Sequence, residues 1–277
     1  MQNNEQMTTY RIGIVQIEAA DDPYQNLTAL RSFAQQAKAA GCGAVCFPEC
    51  FLTGYDPNLA KEKAIPSDSP VLDAVTEIAA ELQIDILAGY MESATDLYIA
   101  HAVFYPDSRR FVYHKTHLGA KEQKIFEAGD VLPVFSLSCG LTAGLQVCVE
   151  SHFPEITQAL SLQCADVVFV PAASPGSAAD RERIWKTIIP ARAYDNRVYM
   201  ACCNLLRGDD PSGKPPLPGG CLVCGPEGSV LAEDFGGSPG LCVFDVDPAL
   251  LARFRSDDDS MRYRYYPAKR RPELYKR

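Results

Sequence analysis

Residues 144–155 read Gly-Leu-Gln-Val-Cys-Val-Glu-Ser-His-Phe-Pro-Glu. The apolar run 145–149 predicts a buried strand, and the apolar periodicity of 156–162, after Pro154, predicts a helix. Between them we expect a sharp turn at Cys148. Backbone N–H groups point into such a turn, and a helix N-terminus lowers the pKa of a nearby thiol. The position therefore suits a nucleophile, although most cysteines in apolar runs are simply buried small hydrophobes.

Two other segments have the same format of apolar strand followed by a reactive residue. Glu49 follows the predicted strand 44–47, and Lys115 follows the predicted strand 111–114. Alone, Glu49 would be read as a solvated loop residue and Lys115 as a surface lysine. In open α/β sheets, however, residues just past the strand ends line the site. The combination predicts a carboxylate, an ammonium and a thiol that converge.

Strands and helices alternate through most of the chain. Pro190 is expected to kink or divide one predicted helix, and the hairpin at 99–114 means that the sheet is not purely parallel. We therefore predict one α/β domain over 1–277, with mixed sheets covered by helices, a polar leader at 1–9 and a C-terminal tail at 256–277 that is solvated or forms a subunit contact. The predicted strands are 11–16, 44–47, 84–90, 99–104, 111–114, 134–138, 144–149, 167–171, 198–204, 220–224, 230–233 and 241–246, and the predicted helices are 23–40, 70–82, 155–163, 184–196 and a last helix from Asp247-Pro248 to Arg255.

The composition excludes several classes of function. The 277 residues carry a formal net charge of −9 and a pI of about 5.0, so no basic field would attract nucleic acid or an acidic membrane. The N-terminus lacks an apolar signal core, and no apolar run reaches membrane-spanning length. These features predict a cytoplasmic protein. Its 11 cysteines are then expected to be reduced thiols rather than a disulfide framework.

The motifs around the three reactive residues resemble those of the nitrilase, or carbon–nitrogen hydrolase, superfamily. One such motif would be weak evidence, but several occur here in the family's order across nearly the whole chain. The resembling segments are Phe47-Pro48-Glu49 with Leu52-Thr53-Gly54-Tyr55, His114-Lys115-Thr116-His117-Leu118, Val147-Cys148-Val149-Glu150 with Phe153-Pro154-Glu155, then Trp185, Arg192-Ala193-Tyr194-Asp195-Asn196, Gly228 and Arg271-Pro272-Glu273-Leu274-Tyr275.

The resemblance implies a four-layer αββα sandwich and a Glu-Lys-Cys triad that needs no metal or organic cofactor. Cys148 would attack the carbon of a small-molecule amide or carbamoyl (ureido) compound, Glu49 would transfer the proton, and Lys115 would stabilise the oxyanion. A thioester would form and ammonia would leave. Glu122 matches a second glutamate that orients the amide and the lysine, with Glu127 as its alternative. A homodimer or higher homo-oligomer is also implied.

The residues expected to form the oxyanion site and substrate pocket are Val149, Tyr55, Glu150 and Ser174. Val149 stands where many relatives carry an aromatic side chain, so the pocket wall beside the nucleophile is expected to be less bulky. The loops 55–66, 118–130 and 172–183 are expected to wall this pocket.

Other hypotheses remain open from the sequence. His152, four residues after Cys148, invites a Cys–His dyad, although sequence neighbours rarely supply one. Cysteines suggest zinc, but their spacing matches no common ligand pattern; they are Cys42, Cys46, Cys50, Cys202, Cys203, Cys221 and Cys224. A nitrilase acting on a small nitrile is the alternative within enzymes. A catalytically silent homologue that serves as a binding or scaffold protein is the alternative of another class.

Overall fold

A computed structural model describes residues 9–208, 210, 213–256 and 263–275. The leader up to residue 8, the acidic run 257–259 and the last two residues lie outside the described residues. The strands are β1 Tyr10–Glu18, β2 Ala44–Cys46, β3 Asp85–Ser93, β4 Leu97–Phe104, β5 Arg110–His114, β6 Val134–Ser136, β7 Thr142–Leu145, β8 Val167–Ala172, β9 Tyr199–Arg207, β10 Leu217–Pro218, β11 Cys221–Cys224, β12 Val230–Asp234 and β13 Gly240–Val246. The α-helices are α1 Pro23–Ala39, α2 Ala60–Lys63, α3 Pro70–Leu82, α4 Pro154–Leu162, α5 Ala178–Asn196 and α6 Pro248–Arg255.

Twelve of these thirteen strands form two six-stranded arrays, each mixed in direction, and the short β10 pairs with β9 alone. The first has the order β5-β4-β3-β2-β1-β13, with parallel pairs around β2 and antiparallel pairs elsewhere. The second has the order β6-β7-β8-β9-β11-β12, with parallel pairs on both sides of β8. A short parallel pairing of Ile17 with Leu205 and of Glu18 with Leu206 joins the two arrays. The predicted mixed sheets are confirmed.

Side-chain alternation on the strands sorts the core into three apolar layers. Ile14 of β1 and Phe169 of β8 face the layer between the two sheets. Val15, on the opposite face of β1, packs with Leu30 of α1 and the apolar face of α3. Val168, on the opposite face of β8, packs with α4 and α5. Because period-2 strands present one face to a second sheet and the other to helices, the chain forms an αββα sandwich, and the expected fold class is confirmed.

Helix starts follow their capping residues. The predicted start at Asp247-Pro248 is confirmed, since the Asp247 carboxylate accepts hydrogen bonds from the N–H groups of Ala249 and Leu250, at 2.9 and 3.1 Å. The prediction for α5 is wrong at its beginning, because the helix starts at Ala178, where the Ser177 side chain caps it.

Pro190 does not divide α5, so this alternative of the expectation is wrong. Trp185, Ile189 and Ala193 recur at intervals of four residues and are buried against the second sheet. This packed face holds the helix together across the carbonyl that the proline leaves without a donor. Between the predicted strands 198–204 and 220–224 the structure has the additional short strand β10, which pairs with the end of β9.

The strand before Cys148 is shorter than predicted. β7 ends at Leu145 rather than Val149, and a 3₁₀ helix, Cys148–His152, separates it from α4. The apolar run extends beyond the end of the strand because Val147 is buried in the layer between the sheets. Within the described part of the chain, every helix is too short or too polar to cross a membrane.

Candidate active site

The first two reactive side chains meet in the interior. Glu49 follows β2 and Lys115 follows β5, and each is 1% exposed. The Lys115 ammonium donates to Glu49 Oε1 at 2.7 Å. Glu122, from the loop after β5, accepts from the same ammonium at 2.9 and 3.0 Å. A buried cation is thus clamped between two buried carboxylates.

Two further groups hold Glu122 in this position. The Tyr55 hydroxyl donates to Oε1 at 2.8 Å, and the Gly119 N–H donates to Oε2 at 2.6 Å. Glu122 begins a single 3₁₀ turn, Glu122–Lys124, within a segment whose sequence shows no periodicity. Its alternative, Glu127, is exposed.

Glu49 also reaches the second sheet. Its Oε2 accepts the backbone N–H of Ala173, just past β8, at 2.8 Å. Burial raises the pKa of Glu49 above its ordinary value of 4.5, the Lys115 charge lowers it and the Glu122 charge raises it, with a net rise. Burial lowers the pKa of Lys115, but Glu49, Cys148 and Glu122 raise it more, so that its pKa lies well above 10.5. Lys115 is therefore a permanent cation, and Glu49 a carboxylate suited to accept a proton.

Cys148 lies at the first position of the 3₁₀ helix, in the left-handed region with φ of +54°. Such a strained backbone conformation is typical of a sharp turn at a functional residue. Because the first residues of a helix lack intrahelical partners for their N–H groups, those of Cys148 and Val149 remain available beside the sulfur. Val149 itself is half-buried.

The thiol is not preformed as thiolate, contrary to the expectation from a helix N-terminus. Burial raises the pKa of Cys148 to about 12, and the Glu49 charge raises it while the Lys115 charge and the Ala173 N–H lower it. Five residues of 3₁₀ helix provide too small a dipole to offset desolvation and a facing carboxylate. Cys148 is therefore a protonated thiol, and the charge of the nearby base Glu49 acts on it.

Glu150 is fully buried and serves the framework. Its Oε1 accepts from the N–H and the hydroxyl of Thr116, both at 2.7 Å, and from the N–H of His117 at 3.1 Å. Its Oε2 accepts the N–H of Val147 at 2.6 Å, and the Tyr113 hydroxyl bonds both oxygens. The carboxylate expected in the pocket instead ties the turn of Cys148 to the loop of Lys115.

The remaining expected pocket residues are not fully buried. Tyr55 and Ser174 are half-buried. A cavity of about 390 Å³ adjoins Tyr55 and has Pro175, which follows Ser174, on its wall. Residues from all three predicted loop regions line it, with Lys121 from the middle one. The cavity is large enough for a small organic molecule.

Other residues considered from the sequence lie elsewhere. His152 is exposed, and no hydrogen bond joins it to Cys148 among the described residues. His114 bonds Glu92, and His117 bonds the Thr116 hydroxyl at 2.8 Å. Cys202 and Cys224 face the helix side of the second sheet, whereas Cys203 and Cys221 face the layer between the sheets. In the described ranges no three His, Cys, Asp or Glu side chains cluster as metal ligands.

Sequence reasoning did not single out two contributors to the site. Ala173 acts through its backbone N–H, and Tyr113 lies inside a strand. No local pattern reveals either of them, because a backbone donor and a buried tyrosine have no signature outside the fold.

Comparison with known proteins identifies the class of protein to which this chain belongs. The sequence matches the carbon-nitrogen hydrolase family over residues 11–256, and the chain belongs to that family. It is therefore an enzyme of the class that hydrolyses C–N bonds other than peptide bonds, within the nitrilase superfamily.

Individual relatives agree with this assignment. A hydrolase of Mycobacterium tuberculosis is 31% identical over 261 residues, which cover 88% of this chain and 92% of the relative. The omega-amidase NIT2 of Homo sapiens is 29% identical over 263 residues, covering 90% and 92%. The structure of an amidase from Nesterenkonia sp. superimposes with a TM-score of 0.80 at 28% identity, covering 96% of this chain and 95% of that one.

Proposed function

We propose that this protein hydrolyses the amide (or carbamoyl) C–N bond of a small molecule through a thioester on Cys148, with release of ammonia. One observation carries the proposal. The Lys115 ammonium is held by Glu49 and Glu122, and the charges of all three act on the Cys148 thiol. A base, an oxyanion donor and a nucleophile are the parts that acyl transfer requires.

The first half-reaction begins with a neutral thiol. Cys148 Sγ attacks the carbonyl carbon while its proton passes to Glu49, whose raised pKa suits it to accept and return a proton. The carbonyl oxygen becomes an oxyanion, stabilised by the Lys115 ammonium and the Val149 N–H. Glu49 then donates the proton to the nitrogen, the C–N bond breaks, and ammonia leaves a thioester.

The second half-reaction reuses the same groups. Water attacks the thioester carbonyl as Glu49 takes its proton, and the same donors stabilise the second oxyanion. When the C–S bond breaks, the sulfur recovers a proton from Glu49 and the carboxylic acid departs. Lys115 keeps its proton throughout, because its pKa lies well above 10.5.

Solved relatives support this chemistry. A mutant of the Nesterenkonia amidase, 27% identical to this chain, was solved in complex with butyramide. Another mutant of that amidase carries the acetamide moiety of fluoroacetamide covalently at its active-site cysteine. A small aliphatic amide is therefore the first substrate to try.

Trapping on the nucleophile tests the proposal. The protein is incubated with a panel of small amides, matched nitriles and carbamoyl compounds, ammonia is measured, and intact-protein and peptide mass spectrometry locate the acyl adduct. We expect an adduct on Cys148, and loss of both adduct and ammonia in Cys148→Ala. Cys164→Ala, which changes an exposed cysteine, is the matched control.

Each other outcome has a definite meaning. An adduct on a different cysteine would overturn the assigned nucleophile. Turnover of nitriles but not of amides would make the protein a nitrilase. No turnover of any compound by a folded protein would favour the catalytically silent binding or scaffold homologue.

We also propose a homodimer formed by α4, α5 and the C-terminal residues. Exposed apolar side chains gather there, beside a cavity of about 590 Å³ between α4, α5 and the tail; they include Phe153, Tyr194, Leu274 and Tyr275. Light scattering should give twice 30.3 kDa. Tyr194→Glu should shift the mass toward the monomer, whereas Tyr24→Glu on the exposed face of α1 should not. A monomeric mass for the unaltered protein would contradict the proposal.

A further inference from the structure

Asn204 is a fully buried residue of β9 that lies level with the end of β8. The parallel pairing of the two strands stops where Ala172 meets Asn204, and residues 173–177 form neither helix nor strand. Beyond that point the side chain of Asn204 replaces the backbone as the pairing partner. Its Oδ1 accepts the Ser174 N–H at 2.8 Å, and its Nδ2 donates to the Ser174 carbonyl at 3.1 Å. One amide group therefore binds both polar groups of the Ser174 backbone.

A tight turn on the other side fixes the orientation of this amide. Its Nδ2 also donates to the Gly219 carbonyl at 3.1 Å. Gly219 has a φ of +71°, and its N–H donates to the Leu205 carbonyl at 3.0 Å. A Cβ at Gly219 would lie 2.4 Å from Leu206 Cδ2, so the turn has no room to move toward the strand. Two carbonyl acceptors and one N–H donor leave only one orientation for the side chain.

The backbone that Asn204 holds carries a donor to the proposed base. Ala173 immediately precedes Ser174, and its N–H donates to Glu49 Oε2 at 2.8 Å. The other carboxylate oxygen, Oε1, accepts from the Lys115 ammonium at 2.7 Å. The carboxylate is thus held on one oxygen from the first sheet and on the other from the second sheet. Its orientation depends on where Ala173 lies.

The same N–H acts on the two groups that exchange a proton. Burial raises the pKa of Glu49, and the Ala173 N–H is among the groups that lower it. Burial raises the pKa of Cys148 to about 12, and the same N–H lowers it. Because a hydrogen bond to the ionised form favours that form, the position of Ala173 helps to set the pH at which Glu49 becomes a base.

We propose that Asn204 is a positioning residue for the hydrolysis, because its amide holds the Ala173–Ser174 backbone so that the Ala173 N–H stays on the Glu49 carboxylate. Asn204 itself lies one peptide away from the reacting groups and acts through Ala173. This inference rests on the proposed function and adds a residue that controls the base of that same site.

The rival explanation is structural. Asn204 would then only satisfy buried backbone groups, and its removal would lower the free energy of unfolding without altering the chemistry of Glu49. The pH dependence of turnover distinguishes the two explanations. Loss of stability leaves the ionisation of Glu49 in the folded protein unchanged, whereas displacement of the Ala173 N–H makes Glu49 harder to ionise.

Kinetics of Asn204→Ala with butyramide test the proposal at a temperature where circular dichroism shows the variant to be folded. We expect kcat to fall by about 10- to 100-fold, the worth of one hydrogen bond to a charged group, with KM changed by less than about threefold. The acid limb of kcat/KM should move to higher pH. Asn204→Ser keeps one hydroxyl for the Ser174 backbone and should shift the limb less, in the same direction. It also serves as the test if Asn204→Ala does not fold.

Asn26→Ala is the matched control. Asn26 is 1% exposed and clamps a backbone past the end of β1 in the same way, since it accepts the Ala20 N–H at 2.7 Å and donates to the Ala20 carbonyl at 2.9 Å. Its third bond goes to the Leu52 carbonyl at 3.2 Å. We expect a similar loss of stability and an unmoved acid limb. An acid limb that Asn204→Ala leaves in place, or that both variants move equally, would overturn the inference.

An infrared titration without substrate separates this inference from the proposed function. The protonated-carboxyl band that disappears in Glu49→Gln reports the ionisation of Glu49 directly, and in Asn204→Ala it should titrate at higher pH than in the unaltered protein. If the band moves but no amide is turned over, the positioning role stands and the proposed hydrolysis fails. If amides are hydrolysed while neither the band nor the acid limb moves, the proposed function stands and the positioning role fails.

Discussion

The carboxylate of Glu150 accepts hydrogen bonds from both the N–H and the hydroxyl of Thr116, each at 2.7 Å. Glu150 lies two residues after the nucleophile, and Thr116 directly follows Lys115. The bond therefore joins the two segments that carry the sulfur and the ammonium. A fully buried carboxylate that accepts N–H and O–H donors on both oxygens fixes the distance between them more rigidly than packing alone.

Glu150→Gln should disrupt this link. One oxygen becomes an NH₂ group that faces the backbone N–H of Val147 or of Thr116, and two donors cannot bond each other. We expect a loss of about 2–4 kcal/mol in the free energy of unfolding, measured by urea denaturation. The fractional decrease in kcat should be larger than the fractional change in KM. The control, Glu155→Gln, changes an exposed glutamate in the first turn of α4; an equal effect of both variants would contradict the assigned role.

Lys115→Met should destabilise the protein more than Glu49→Gln does. Without the ammonium, Glu49 and Glu122 face each other inside the protein, and removing one member of a buried charge cluster costs about 3–5 kcal/mol. In Glu49→Gln the ammonium keeps the Glu122 carboxylate. Turnover should fall by about 10³-fold or more in both.

The pH dependence of stability provides a check on this comparison. In Lys115→Met the remaining carboxylates take up protons more readily than in the unfolded chain, so the lost stability should return as the pH falls. Denaturation curves at several pH values measure it. A destabilisation that stays constant across the acid range would show that the two carboxylates are not the cause.

The pH profile of kcat/KM should have an acid limb and no alkaline limb near neutrality. Glu49 must be ionised to accept the thiol proton, so kcat/KM falls as the pH drops through its pKa, which burial raises above 4.5. Lys115 remains charged up to its ordinary value of 10.5 and beyond. Circular dichroism over the same range separates titration from acid unfolding.

A different profile would exclude the mechanism. If activity rose with pH around the ordinary thiol value of 9.0, the reactive species would be a preformed thiolate. Alkylation of Cys148 by a neutral reagent should accordingly remain slow at neutral pH, because its pKa is raised to about 12.

Gly89→Ala should impair activity from within the sheet. A Cβ at Gly89 would lie 2.5 Å from the Cys50 nitrogen and 3.0 Å from Glu49 Cα, so the backbone that carries the base must shift. We expect a cost of about 1–3 kcal/mol in thermal or urea unfolding. Turnover should fall by more than stability explains at a temperature where the variant is folded.

Gly43→Ala is the control for this prediction. The nearest atom to its added Cβ is the Cys139 Cβ at 3.6 Å, an ordinary contact. Full activity of Gly89→Ala would mean that the segment of Glu49 tolerates displacement.

The sequence alone determined the alternation of strands and helices and the positions of the reactive residues past strand ends. Apolar periodicity and capping pairs such as Asp247-Pro248 are local signals, so they can be recognised without knowledge of the fold. The same locality explains the errors. Nothing within a few residues of Leu145 indicates that β7 ends there, and only packing on the second sheet explains why α5 continues through Pro190.

The tertiary structure decided the charge states and the burial of the ionisable side chains. A cysteine at a turn, a glutamate and an arginine have ordinary local sequences, yet Cys148 has its pKa raised to about 12, Glu150 is wholly internal, and Arg181 is buried without a described counterion. Burial and partners come from segments distant in sequence, and desolvation and short-range charge interactions depend on three-dimensional distance. The sequence therefore specified which chemical groups are present, and the fold set their protonation and their partners.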